Sequence, residues 1–218
     1  MILPSAAIQA PRPWPINGAA ICRCYRLAVF DLSSPYQEPG FGIWKRRLKS
    51  LSVSEIRVRE AKPTAEDGRW MRWMQADGES TYIHSVEYNV LKIEQQLVLV
   101  AEIADDPVGF CNALVGRTKS DPLFIQLVAV VPSARRRGVG LALLSAAAAR
   151  EPLRDIAMAT LDDNLAARSL NERFAKSIGG EIRSVPPRRY RRTDLGFANG
   201  ESHHAWVVER SRETLIGI

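Results

Sequence analysis

The chain has 218 residues, 46% of them hydrophobic and 25% charged, with a formal net charge of +6. That is room for one domain with a sizeable core and an appendage, and it excludes wholesale disorder. No run approaches the roughly 18 uncharged apolar residues of a membrane helix.

Three cysteines (Cys22, Cys24, Cys111) make no disulfide framework. With only His84, His203 and His204 beside them, no metal site is expected. Pro4, Pro11, Pro13 and Pro15 break the opening segment, which also lacks the basic start of a secretory signal. The reading is a cytoplasmic protein.

Residues 1–54 carry seven basic groups against Asp31 and Glu38, together with six of the thirteen prolines. They read as an irregular basic N-terminal extension, dispensable for what the rest of the chain binds. Tyr25–Leu32 suits a short strand there, and residues 43–51 a short basic amphipathic helix. Trp14, Phe30 and Trp44 are the apolar groups the extension has for packing on the domain that follows.

A domain over residues 55–210 is expected next, then a C-terminal tail over 211–218. Alternation at Ile56, Val58 and Glu60 predicts a first strand. Thr64 followed by Asp67 resembles a capping box and opens a helix to about Gln75, with Trp70, Met71, Trp73 and Met74 as its apolar stripe. A second helical stretch covers roughly 82–93. Residues 97–103 and 108–115 form a hairpin around the turn 104–107, and 123–131 is a third apolar strand. Residues 139–150 read as a helix, 155–161 as a strand, 164–178 as a helix ended by Gly179-Gly180, and 181–185 and 204–209 as the last strands. The fold class is therefore α/β, a mixed sheet with helices on its faces.

One segment carries chemistry. The strand Leu127-Val-Ala-Val-Val-Pro runs into Arg135-Arg136-Arg137-Gly138-Val139-Gly140-Leu141, which opens a helix. Two glycines let the backbone come close to a ligand, and first-turn N–H groups lack intrahelical partners. The helix dipole favours an anion there, and three arginines add charge. A pyrophosphate suits such a nest. A nucleoside-triphosphate loop would need Lys and then Ser or Thr after the glycine, and Leu141 follows Gly140 instead. A dinucleotide fingerprint would need Gly or Ala at Leu143.

Arg135-x-x-Gly138-x-Gly140 after that strand, Pro107-Val108-Gly109-Phe110 after the hairpin turn, and Asn164 with Ala167 opening the last long helix resemble the GCN5-related N-acetyltransferase (GNAT) superfamily over about residues 56–209. The resemblance implies a GNAT-like acyl-CoA N-acyltransferase fold with a V-shaped cofactor cleft. It also implies acetyl-CoA as acyl donor and a primary amine as acceptor, joined by direct transfer in a ternary complex. Backbone amides of Arg136, Arg137, Gly138, Val139, Gly140 and Leu141 would hold the pyrophosphate, behind Arg135. Ala129, Val130 and Val131 would border the pantetheine arm, with Ala129 and Val131 pairing to it through backbone groups. The N–H near Val128 would polarise the thioester carbonyl. Asn164 would reach the pantetheine or the far end of the cofactor.

The chain also departs from the family. Many relatives carry a Glu base at the position of Gln126, and Gln accepts no proton at neutral pH. Many carry a Tyr acid seven residues after the helix-opening Asn. That position is Asn171, and counting back from Gly179-Gly180 gives Ala175. Glu79, His84 and Glu87 are substitute bases on the side that faces the acceptor in this family, and Tyr190 is a substitute acid. A CoA-binding, catalytically weak regulatory or interaction module is the alternative these vacancies raise. The acceptor is a small-molecule or protein amine. Arg183, Arg188, Arg189, Arg191 and Arg192 are where a nucleic acid would bind, although no RNA-binding motif accompanies them. Both monomer and homodimer remain open.

Overall fold

The computed structural model describes residues 34–52, 55–78, 82–197 and 203–210. The expected strand at 25–32, the packing of Trp14 and Phe30, and the candidate base Glu79 lie outside the described residues, as does the tail.

Five helices and seven strands are described: α1 (Phe41–Lys49), β1 (Ile56–Glu60), α2 (Ala65–Gly78), α3 (Val86–Gln95), β2 (Leu97–Ile103), β3 (Asp106–Val115), β4 (Leu123–Val130), α4 (Val139–Arg150), β5 (Ile156–Leu161), α5 (Leu165–Ser177), β6 (Glu181–Val185) and β7 (His203–Glu209). They build one mixed sheet in the order β1-β2-β3-β4-β5-β7-β6, in which only β4 and β5 pair in parallel. β2 is buried along its whole length, as a central strand covered on both faces must be. α4 packs across β1 to β4, and α2 and α3 stack together on the opposite face. Among the described residues no helix is long and apolar enough to cross a membrane.

The expected elements appear in the expected order, with local adjustments that have physical causes. The hairpin turn is tighter than the four residues 104–107, because Ala104 and Asp105 both take positive φ (51° and 64°) and close it alone. Thr64 Oγ1 accepts from Asp67 N at 3.3 Å, but the Asp67 carboxylate does not complete the box. It pairs with Arg59 at 2.7 Å and accepts from Lys62 N at 2.6 Å, so it fastens α2 to β1. The second helix starts later than expected, at the Ser85 cap, whose Oγ accepts from Tyr88 N.

The largest difference concerns the segment read as a dispensable extension. Phe41, Trp44 and Leu48 recur on one face of α1 and are 5%, 0% and 2% exposed. Trp44 Nε1 donates to Pro107 O at 3.1 Å, and its ring meets those of Phe41, Trp70 and Trp73. Glu38 accepts from both Arg72 Nε and Trp73 Nε1 at 2.6 Å, and Arg72 is itself buried. The core thus begins before residue 54, and α1 belongs to it.

Candidate functional site

Parallel pairing of β4 with β5 covers only Leu123 with Ile156, Phe124 with Ala157 and Ile125 with Met158. Past that point β4 runs on to Val130, still held by β3 through Gly109. β5 runs on to Leu161, still held by β7 through His203. The strands are anchored on their outer edges and part on their inner ones. The opening between them exposes two rows of backbone donors and acceptors, as sheet edges do.

The parting starts at a bulge. Asn112 pairs with Leu127 and Ala113 with Ile125, so Gln126 is the extra residue on β4.

The loop whose sequence suits an anion nest lies at the mouth of the cleft. After a short 3₁₀ turn at Pro132–Ala134, Arg136 takes φ +63° and Gly138 φ +89° before α4 begins. No side chain caps α4, so the N–H groups of Gly138, Val139, Gly140 and Leu141 are left for a ligand. A conformation that L side chains rarely adopt is why position 138 is Gly.

Gly140 serves a different purpose: a Cβ on it would stand 2.9 Å from Leu170 Cδ2, so it lets α4 lie against α5. The three arginines also divide. Arg135 donates to Val130 O at 3.2 Å and Gly78 O at 3.0 Å. Arg137 donates to Leu51 O at 3.2 Å and Ser52 O at 3.1 Å. Both therefore brace the loop. Arg136 is exposed, and among the described residues no side-chain partner holds its guanidinium. Uncapped amides, two left-handed residues and the Arg136 guanidinium fit a pyrophosphate.

Strand alternation corrects one expectation. Val131 N–H donates to Val108 O at 2.9 Å, so the main-chain groups of Val131, and of Ala129 two residues earlier, face β3. They are already used inside the sheet and cannot pair with a cofactor arm. The groups of Val128 and Val130 face the opening instead, and Val130 O there accepts from Arg135. Val128 N–H therefore lies on the open side of β4.

The candidate acid–base residues scatter. Gln126 Nε2 donates to Thr193 O at 3.0 Å and Asp194 O at 3.1 Å, so it is tied to the loop before β7. Asn164 caps α5, with Oδ1 accepting from Ala167 N at 2.9 Å. Asn171 is buried within α5 and Ala175 is 1% exposed. The Tyr190 ring meets Phe124 edge-on, 5.2 Å between centroids, which sets it over the β4 floor just before the bulge.

His84 stacks on Tyr88 at 4.3 Å, and its main chain is held by Gln75 and Arg72. Burial, aided by the Lys92 charge, pushes its imidazole down to about 4, below the range of a base working near neutrality. Cys111 lies wholly buried on β3, and burial pushes its thiol up to about 12. No described thiol is therefore available to carry an acyl group.

Sequence reasoning missed the partners of Gln126, because Thr193 and Asp194 meet it with main-chain oxygens, which every residue type carries. A left-handed Arg136 is likewise invisible inside a run of three arginines.

Comparison with known proteins agrees with this architecture. The model of the acetyltransferase (GNAT) family matches residues 66–175. The chain is 35% identical over 121 residues to L-2,4-diaminobutyric acid acetyltransferase of Shouchella clausii (strain KSM-K16), covering 53% of this chain and 67% of that protein. The fold is similar to that of diaminobutyrate acetyltransferase EctA from Paenibacillus lautus, solved with its substrate L-2,4-diaminobutyric acid and coenzyme A. The TM-score is 0.58 at 24% identity, over 71% of this chain and 95% of that one. It is also similar to N-acetylglutamate synthase from Neisseria gonorrhoeae, solved with coenzyme A and N-acetyl-glutamate, with TM-score 0.56 at 17% identity, over 73% of this chain and 36% of that one. With the parted strands and the anion nest in place, the chain belongs to the GNAT family and is an N-acetyltransferase that uses acetyl-CoA.

Proposed function

We propose that this acetyltransferase acts on a small diamino acid, with L-2,4-diaminobutyrate as the first candidate, by direct attack of the acceptor amine within a ternary complex. The observation that carries the acceptor is the 35% identity to a relative named for that compound. The buried Cys111 supports direct transfer, since among the described residues it is the sole thiol and its high pKa keeps it protonated.

Acetyl-CoA supplies an acetyl group activated as a thioester. In this reading the amides of Gly138 to Leu141 and the Arg136 guanidinium hold the pyrophosphate. Backbone groups of Val128 and Val130 align the pantetheine arm as an added strand would, and Val128 N–H stabilises negative charge on the reacting carbonyl. Most of the rate enhancement then comes from proximity and fixed dipoles, because among the described residues no tuned acid–base pair lines the cleft. A cytoplasmic location goes with this donor.

The test is free-thiol release from acetyl-CoA with a panel of amines: L-2,4-diaminobutyrate, ornithine, lysine and a peptide with a free N-terminus. Release with diaminobutyrate at least tenfold above the others is expected. Release confined to the peptide would overturn the small-molecule acceptor. Binding of acetyl-CoA without release for any amine would favour a catalytically weak binding module.

A further inference from the structure

At the bulge in β4 the chain presents a single side chain, Gln126, and both donor positions of its amide nitrogen are used. Nε2 has two hydrogens, and two main-chain oxygens, Thr193 O and Asp194 O, lie 3.0 and 3.1 Å from it. The same stretch of chain presses on Gln126 from a second direction. A Cβ on Gly196 would stand 2.8 Å from Gln126 O and 3.0 Å from Gln126 Cβ, and Gly196 takes φ +83°. Between these two contacts Leu195 is fully buried, in a small apolar cluster with Phe124, Ala157 and Ala205. Residues 191–197 are thus fastened over β4 and β5 at the point where the strands part.

A side chain that donates twice suits this geometry. A carboxylate there would face two carbonyl oxygens with no proton to give either, and an aliphatic side chain would give up both ties to residues 193 and 194.

We infer that Gln126 is a positioning residue for acetyl transfer: its carboxamide holds residues 191–197 as one wall of the acceptor site. The inference rests on reading the β4–β5 cleft as the site of acetyl-CoA and amine. It gives position 126 a role opposite to that of a proton acceptor, since here the side chain donates twice.

The experiment compares the full chain with Gln126→Glu and Gln126→Leu. Two readouts are used: amide hydrogen exchange of residues 191–197 without ligand, and steady-state kinetics with L-2,4-diaminobutyrate from pH 5.5 to 9, taken as the ratio of variant to wild type at each pH. Faster exchange of this segment in both variants is expected, with KM for the amine raised at least tenfold and acetyl-CoA affinity within twofold. For Gln126→Glu the ratio should improve toward low pH, where a protonated carboxyl again donates to one carbonyl.

A ratio above one that climbs with pH would mean that a carboxylate at 126 acts as a base, and would overturn the inference. Unchanged exchange in both variants would overturn it too. Because exchange is read without turnover, failure of the acceptor assignment would appear as an inactive wild type with the exchange difference intact. Gly196→Ala, which intrudes on Gln126 from the other side, gives the same loosening by an independent route if either Gln126 variant fails to fold.

Discussion

Gly140 of α4 lies so close to Leu170 of α5 that a Cβ on the glycine would reach within 2.9 Å of Leu170 Cδ2, whereas a Cβ on Gly138 would meet nothing nearer than 3.8 Å. The two glycines of one motif thus answer different demands. Gly138 is needed for its backbone conformation at the mouth of the cleft, and Gly140 for the packing of two helices.

Substitutions should separate these roles. Gly138→Val forces a β-branched residue toward φ +89°, at a cost of about 1–3 kcal/mol, and reshapes the nest. The rise in melting temperature caused by acetyl-CoA should disappear. Gly140→Ala should keep that rise, because the end of a leucine gives way and Ala is the better helix former by about 1 kcal/mol. Gly140→Leu should drive the helices apart at about 1–3 kcal/mol. An undiminished acetyl-CoA shift in Gly138→Val would remove the nest from the binding site.

The N-terminal boundary is tested by a chain that starts at residue 51. It lacks Phe41, Trp44 and Leu48, each worth about 1.5–3 kcal/mol of burial and together comparable to a whole domain's stability. Loss of the cooperative thermal transition and of near-ultraviolet circular dichroism is expected. Trp44→Ala alone should cost about 3–5 kcal/mol. A truncated chain that melts cooperatively and binds acetyl-CoA like the full one would restore the boundary near residue 54.

What could be read in advance follows from how local each cause is. The strands, the glycine-opened start of α4 and the order of elements depend on short-range alternation, caps and glycines, and these were legible. Trp44 was visible as an apolar group, but its place in the core depends on a partner 63 residues away, the carbonyl of Pro107. The bulge at Gln126 leaves no compositional trace, because an extra residue in a strand is defined only against its neighbour. The main-chain groups of β4 that face the cleft turned out to be those of Val128 and Val130 rather than Ala129 and Val131. That parity is set by register with β3, and hydrophobicity is silent on it.

His84 couples folding to pH. Its ordinary value of 6.5 is pushed down to about 4 in the fold, first by burial and then by Lys92. Between those values the unfolded chain binds a proton that the folded chain refuses, so stability falls as pH drops through this window and is flat above it for this group. His84→Gln should flatten that slope in urea titrations at pH 7, 5.5 and 4.5. The same variant should leave the rise of kcat/KM between pH 6 and 8 where it was, within threefold in size. A displaced limb would make His84 the proton acceptor.

Tyr190 is the remaining candidate acid, and its ring contact with Phe124 survives loss of the hydroxyl. An acid required for protonating the leaving group would impose a falling limb above its pKa, the basic side of a bell. With Asn171 and Ala175 at the helix positions where the resemblance seeks an acid, no such limb is expected below about pH 9, and the rate should climb with the fraction of neutral amine. A thiolate whose conjugate acid has a pKa of about 8.5 leaves without much help near neutrality. Tyr190→Phe should therefore keep turnover within about threefold and acetyl-CoA affinity unchanged. A tenfold or larger fall in kcat at constant affinity, together with loss of a basic limb present in the wild type, would assign the proton to Tyr190.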